Sequence, residues 1–273
     1  MSLGFSLGIR ASNPSGPSED TYALLSPLFK LGWSFDSQDG GGNWPSVQGG
    51  EAITGTANFI LDSYTSHGNS GRAVDTGSCA SYTGAWNYAG GSGIDGDAVS
   101  VCFFNSSQIG LPTNSSIAET TLFRYWRDDS NASPMFEVKT SAFRSSFPFS
   151  STTQVIHAYV YDTAGVLVHS FDPLSGGGNF DYLMAFTINS GVVTFRCKSI
   201  NDPGTQTSQS FDTIGNSVMP SVPGPLNQKF EIHGHTSFNP VIDELMVIGS
   251  GISNEGFSWL YNSGSTRAAS ELL

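Results

Sequence analysis

At roughly 150 residues per domain, 273 residues allow one or two domains. All-β sandwiches commonly run to about 200–250 residues as one unit, so the chain reads as one. Charged residues make up only 12%, about half the usual quarter, which argues against coiled coils and long Glu/Lys-rich helices. The 23 acids against 11 bases leave a formal charge of −12. Such a chain repels phosphate, so nucleic acid and anionic membranes are poor partners.

Residues 1–20 form a Gly/Ser/Pro-rich arm that cannot build its own core. Met1 to Ser18 carries Arg10 but no apolar stretch of the secretory type, so it does not read as a signal peptide. A helical turn is predicted near Ser18–Leu25. Short apolar runs bounded by Gly, Pro, Asn, Asp or Ser then predict strands at Leu31–Asp36, Ala98–Phe104, Thr120–Trp126, Met135–Thr140 and Gln154–Asp162. Further strands are predicted at Val166–Ser170, Phe180–Ile188, Val192–Cys197, Lys229–His233 and Val241–Ile248. Asn189-Ser190-Gly191 reads as a tight hairpin turn, and Asp162-Thr163-Ala164-Gly165 as another. A short helix is expected over Ser253–Tyr261 with Ser253 as N-cap, although Gly256 stands where a capping box carries Glu or Gln.

Runs at this spacing, with no crossover helices, predict an all-β fold: an antiparallel two-sheet jelly-roll sandwich with little helix. The domain organisation follows as an arm over 1–20, the sandwich over 21–265 and a C-terminal tail over 266–273. Cys79, Cys102 and Cys197 are an odd number without metal-type spacing, and Cys102 and Cys197 read as small core residues. The sequons at Asn105, Asn114 and Asn131 read as chance in a Ser-rich chain.

Several segments resemble the laminin-G-like jelly rolls of the concanavalin A-like lectin/glucanase superfamily, as found in phage structural proteins. Leu31-Gly32-Trp33-Ser34-Phe35-Asp36 resembles the opening strand, and Gly71-Arg72-Ala73-Val74-Asp75 the strand after a variable first loop. Phe230-Glu231-Ile232-His233-Gly234 and Val241-Ile242-Asp243-Glu244-Leu245 are similar to the closing strands. The resemblance spans about residues 22–265. It implies the concanavalin A-like fold, and in many relatives a calcium site at the Asp of the closing strand near the first loop. Asp36, Asp39, Asn43 and Asp243 are the candidate ligands here, set against a reading in which Asp243 accepts loop N–H groups while Glu244 is solvated.

Trp44, Tyr64, Tyr82, Trp86 and Tyr88 lie in Gly/Ser-rich stretches read as loops. Three readings stay open for them: rings that stack on sugars, anchors in a protein interface, or packing at the ends of the sandwich. His233 and His235 at i and i+2 could hold zinc or be polar residues of an exposed strand; His157 and His169 read as sheet residues. Glucanases of the superfamily carry Glu-x-Asp-x-Glu on one strand, and Asp243 has no acid two residues to either side, so an enzyme is not expected. Apart from calcium, no cofactor is expected. The chain is expected to be a non-enzymatic structural or decoration protein of a virus (phage) particle surface. Its arm would attach to other virion proteins, and the chain itself would be a homo-oligomer. The alternative is an extracellular carbohydrate-binding module that recognises cell-surface polysaccharide.

Overall fold

The structure is a computed structural model that describes residues 19–35, 39–49, 52–54, 59–62, 72–75, 86–95, 97–109, 115–128, 130–145, 152–177, 180–199, 206–212, 225–233, 238–262 and 267–273. For 19–20, 59–62, 72–75, 86–94, 106–109, 152, 176–177, 180–181, 206–212, 225–227 and 238–243 the backbone path alone is described.

Two antiparallel sheets pack face to face. The eight-stranded sheet runs β15 (Gln206–Asp212), β14 (Val192–Ser199), β13 (Phe180–Asn189), β7 (Ala98–Ile109), β17 (Phe238–Ile248), β5 (Arg72–Asp75), β4 (Phe59–Asp62), with β1 (Phe29–Trp33) also on β17. The seven-stranded sheet runs β11 (Leu167–Ser170), β10 (Thr152–Tyr161), β9 (Phe136–Arg144), β8 (Ser116–Trp126), β16 (Pro225–Ile232), β6 (Trp86–Asp95), with β12 (Leu174–Gly177) also on β10. A small ribbon pairs β2 (Trp44–Pro45) with β3 (Ala52–Ile53). Two helices, α1 (Glu19–Leu25) and α2 (Asn254–Tyr261), complete the fold with short 3₁₀ turns. The all-β jelly-roll expectation is met.

Period-two alternation explains how the layers sort. Tyr182, Met184, Phe186 and Ile188 of β13 face the space between the sheets, whereas Leu183 and Ala185 face outward into a second apolar cluster. That outer cluster holds Met246, Ile248, Phe257 and Leu260, with Leu25 of α1 and Leu272 of the terminal 3₁₀ turn. Strand β13 is therefore buried on both faces, which is why it is apolar almost throughout. Between the sheets, Phe136 stacks on Phe186 at 4.6 Å, Phe103 on Phe123 at 4.8 Å, and Trp33 meets Phe230 edge-on at 5.5 Å.

Local chemistry sets the ends. Ser190 and Gly191 take φ of 50° and 83° between Asn189 and Val192, the two-residue turn whose twist matches the flanking strands. Ser253 caps α2 by accepting the Gly256 N–H at 3.2 Å, so the cap forms without the reciprocal Glu. Cys102 and Cys197 are buried free thiols, and burial pushes the Cys102 thiol up to about 12. Asn105 is buried, so that sequon cannot carry a glycan in the folded chain. Cys79, Asn114 and Gly71 lie outside the described residues.

Several expectations need correction. The first strand ends at Trp33 because Phe35 turns the chain with φ of 55°. Trp44 lies in β2, and Trp86 and Tyr88 lie in β6, so none of the three is in a loop. In the C-terminal segment, Ala269 and Leu272 are buried in the outer cluster. Glu244 is not solvated but 1% exposed. Between Asp243 and Met246 the register against β7 slips, and Glu244 sits at φ of 49° in the resulting bulge. This is also where the far side of β17 changes partner from β5 to β1. The bulge lets Glu244 share the outer face with Met246 and accept the backbone N–H of Ala269, tying down the chain's last turn.

Glu244→Leu should lower unfolding stability by about 1–3 kcal/mol, because it strands a buried N–H. Glu244→Gln, which keeps an acceptor oxygen, should lose much less in urea denaturation. Equal losses would show that the carboxylate does not hold the C-terminal turn.

Candidate functional site

The two outer faces of the sandwich differ. Helices α1 and α2 and the terminal turn cover one. Among the described residues, no helix or strand packs on the outer face of the seven-stranded sheet, whose outward positions carry Arg, Lys, His, Glu and Tyr.

Strand β9 sends Glu137, Lys139, Ser141 and Phe143 outward, alternating with the buried Phe136, Val138, Thr140 and Ala142. Strand β10 sends out His157, Tyr159 and Tyr161 in the same way, in register with Lys139 and Glu137. Strand β8 supplies Thr121 and Arg124. Three residues apart, they would face opposite ways in a regular strand. A slip in register between Thr121 and Phe123 brings both to the outer face. From β16 come Lys229 and Glu231, with Glu231 in register with Arg124 and Arg124 with Glu137.

Glu137 is the hub. Its Oε1 accepts from Thr121 Oγ1 at 2.6 Å and Arg124 Nε at 2.8 Å, and its Oε2 accepts from Tyr161 OH at 2.7 Å. Lys139 Nζ lies 3.2 Å from Oε2. Burial acts to raise its pKa, but the bonds from Thr121, Tyr161 and Arg124 prevail and hold the carboxyl below its ordinary value. Around it, Tyr159 OH donates to Glu119 at 2.9 Å, and His157 Nε2 shares a 3.0 Å hydrogen bond with Ser141. Burial and that Glu119 bond push the Tyr159 phenol up to about 12. The His157 and Tyr159 rings are parallel, with centroids 6.1 Å apart, and Tyr161 follows at 6.4 Å.

A second group adjoins. Glu231 is held by Lys229 at 2.9 Å and His233 at 3.2 Å, and Lys229 Nζ stands 4.2 Å over the Trp126 ring. Burial would raise the Glu231 pKa, yet hydrogen bonds from His233 and Lys229 bring it down. Phe143, 51% exposed, ends the β9 row. Chemically the face offers fixed donors, acceptors and tyrosine rings, and carboxylates that stay ionised at neutral pH.

The residues expected from sequence fall elsewhere. Trp44 is 1% exposed and packs edge-on against Phe35 at 5.4 Å, so it serves packing rather than ligand stacking. Trp86 and Tyr88 pair in register with Ile232 and Phe230; only their backbone is described. Tyr64, Tyr82, Asp36 and His235 lie outside the described residues, and Asp243 is described by its backbone alone. Asp39 and Asn43 engage each other. Asp39 Oδ1 accepts the N–H groups of Gly41 and Asn43 at 2.8 and 2.9 Å, and Oδ2 accepts Asn43 Nδ2 at 3.1 Å. Those local bonds explain the lowered Asp39 pKa without a cation. Among the described residues, no group of three or more His, Cys, Asp or Glu could hold a metal.

No protein-family profile matches the chain, and no curated protein matches it in sequence. Solved structures do. A botulinum neurotoxin serotype D binding domain superposes with TM-score 0.47 at 13% identity, covering 89% of this chain and 52% of that one. A botulinum neurotoxin type G receptor binding domain gives 0.46 at 12%, covering 86% and 51%. A botulinum neurotoxin DC binding domain, solved with rat synaptotagmin II, gives 0.44 at 9%, covering 88% and 52%. This chain spans about half the length of those domains. So distant a likeness carries no argument about function, and it shows no link to laminin-G or phage proteins.

Because the folded pKa of Glu137 is depressed, its contribution to stability is present above the ordinary Glu value of 4.5 and is lost as pH falls through the lowered folded value. Glu137→Gln should lower stability at pH 7 by about 1–3 kcal/mol through lost charge-assisted bonds. It should also flatten the acid limb of the stability profile. An acid limb identical to the parent's would mean that Glu137 is not the hub.

Proposed function

We propose that this chain is a non-enzymatic, lectin-like recognition domain whose binding surface is the outer face of the seven-stranded sheet, with surface polysaccharide as the ligand class. One observation carries the reading. This sheet face, without a covering element among the described residues, presents tyrosine rings and hydrogen-bonding groups already locked in place. Sugars are bound by rings that take their C–H faces and by rigid polar groups that take their hydroxyls. Tyr159 and Tyr161, tethered through Glu119 and Glu137, would supply the first. Arg124, Lys139, Lys229 and Glu231 would supply the second. A tethered ring loses little freedom on binding, which favours affinity.

The same chemistry supports the non-enzymatic part. A glycosidase needs one carboxylic acid kept protonated by a raised pKa. Glu137 and Glu231 are both held low by cationic and hydroxyl donors. Display on a virus particle, attached through residues 1–20, is the setting favoured by composition, and detection of the chain in purified particles tests it.

Titration against a polysaccharide panel should reveal binding that Tyr159→Ala and Tyr161→Ala weaken by about tenfold or more, roughly 1.4 kcal/mol. Val166→Ser, at the exposed tip of the β10–β11 hairpin, should leave it unchanged. Absence of binding across the panel, release of sugar, or equal effects of all three substitutions would overturn the proposal.

A further inference from the structure

The two large sheets end in unequal edges. At one end of the eight-stranded sheet, β4 is four residues long. The neighbouring β1 is shielded there: Val47 N–H donates to the Gly32 carbonyl at 2.8 Å, and Gly32 N–H donates to Gln48 Oε1 at 3.2 Å. In the other sheet, β6 slips register against β16 and carries Gly90, Gly91 and Gly93. Its opposite edge is split into β11 and β12, four residues each, with Pro173 between them. These are the ways in which proteins blunt an edge against pairing with another chain.

Among the described residues, strand β15 has none of them. Its seven residues, Gln206-Thr207-Ser208-Gln209-Ser210-Phe211-Asp212, pair with β14 in one unbroken register. They include no Pro, Gly, Lys or Arg, and among the described residues no strand lies on the far side. About 23 Å of backbone at ~3.3 Å per residue is thus available for ladder hydrogen bonds.

Charge says which partner fits. The chain carries −12 overall, so two copies repel through most of their surfaces. The β15 edge is an exception: its one charge, Asp212, is at an end. Antiparallel pairing of β15 with itself about Gln209 sets Asp212 opposite Gln206, Phe211 opposite Thr207 and Ser210 opposite Ser208. No like charges meet, and the contact is self-complementary as a two-fold interface must be.

We propose that two copies of this chain associate through antiparallel β15–β15 pairing, which joins their eight-stranded sheets into one continuous sheet. The pairing is a case of strand addition at an open edge, with backbone hydrogen bonds giving the affinity. It is independent of what the other sheet binds, and it leaves that face open in both copies.

Sedimentation of the full chain over a concentration series should show a monomer–dimer equilibrium. The double substitutions Ser208→Lys/Ser210→Lys and Ser208→Glu/Ser210→Glu place like charges opposite one another and should each weaken the dimer by at least roughly tenfold. An equimolar mixture of the two should recover it. Monomer at every concentration, a dimer that persists in either variant, or a mixture that stays monomeric would overturn the proposal. If either variant loses its fold by circular dichroism, hydrogen exchange on the unmodified chain decides. Protection of the 206–212 amides should rise with concentration, and concentration-independent exchange there would overturn the pairing.

Discussion

A single carboxylate, Glu137, organises the outer face of the seven-stranded sheet. At 3% exposure it cannot remain charged without partners, and it has them from three strands: Thr121 and Arg124 on β8, Lys139 on its own β9, and Tyr161 on β10. Each bond fixes a side chain that would otherwise move freely on an exposed sheet. The cost of burying one acid is thereby converted into order over a surface, which is what the proposed recognition role requires.

The rest of the fold can be understood as support for it. The aromatic layer between the sheets, with Phe136 directly preceding Glu137 in sequence and stacked on Phe186, anchors β9 from behind. The eight-stranded sheet is closed on its outer side by α1, α2 and the terminal turn, clamped through Glu244. Among the described residues, one outer face is thus covered by packed elements and the other is not. A fold of this kind hosts many functions, so the reading depends on the side chains of the open face rather than on architecture.

Much of this architecture is legible in the sequence, because alternation and turn chemistry act locally. Strands β7 to β11, β13 and β14 and the Ser190-Gly191 turn follow from period-two patterning and from residues that tolerate positive φ. Strands β6 and β15 escape for a definite reason: one is rich in Gly and the other in Ser and Gln, so neither carries the β-branched, apolar signal of a core strand. The bulges are harder still. Nothing near Glu244 or Thr121 announces an extra residue, since a bulge is set by what pairs across the ladder. Glu244 reads as solvated because nothing local announces that the C-terminal turn, 25 residues further on, covers it. The outer face of the seven-stranded sheet did leave a trace. His157, Tyr159 and Tyr161 recur at every second position of β10, but their meaning depends on Glu137, Arg124 and Glu231 from three other strands. Aromatics in Gly-rich stretches are more conspicuous in sequence, yet the one whose side chain is described, Trp44, is core.

The central claim is that recognition occurs on one defined sheet face, and a residue-resolved footprint tests it most directly. Amide and side-chain NMR shifts should be followed on adding a polysaccharide that binds. The account predicts perturbations concentrated at Arg124, Glu137, Tyr159, Tyr161, Lys229 and Glu231, with Cys102, Leu183 and Phe257 on the opposite side unchanged. A footprint centred on the helices, or on the loop ends of the sandwich with this face silent, would contradict it.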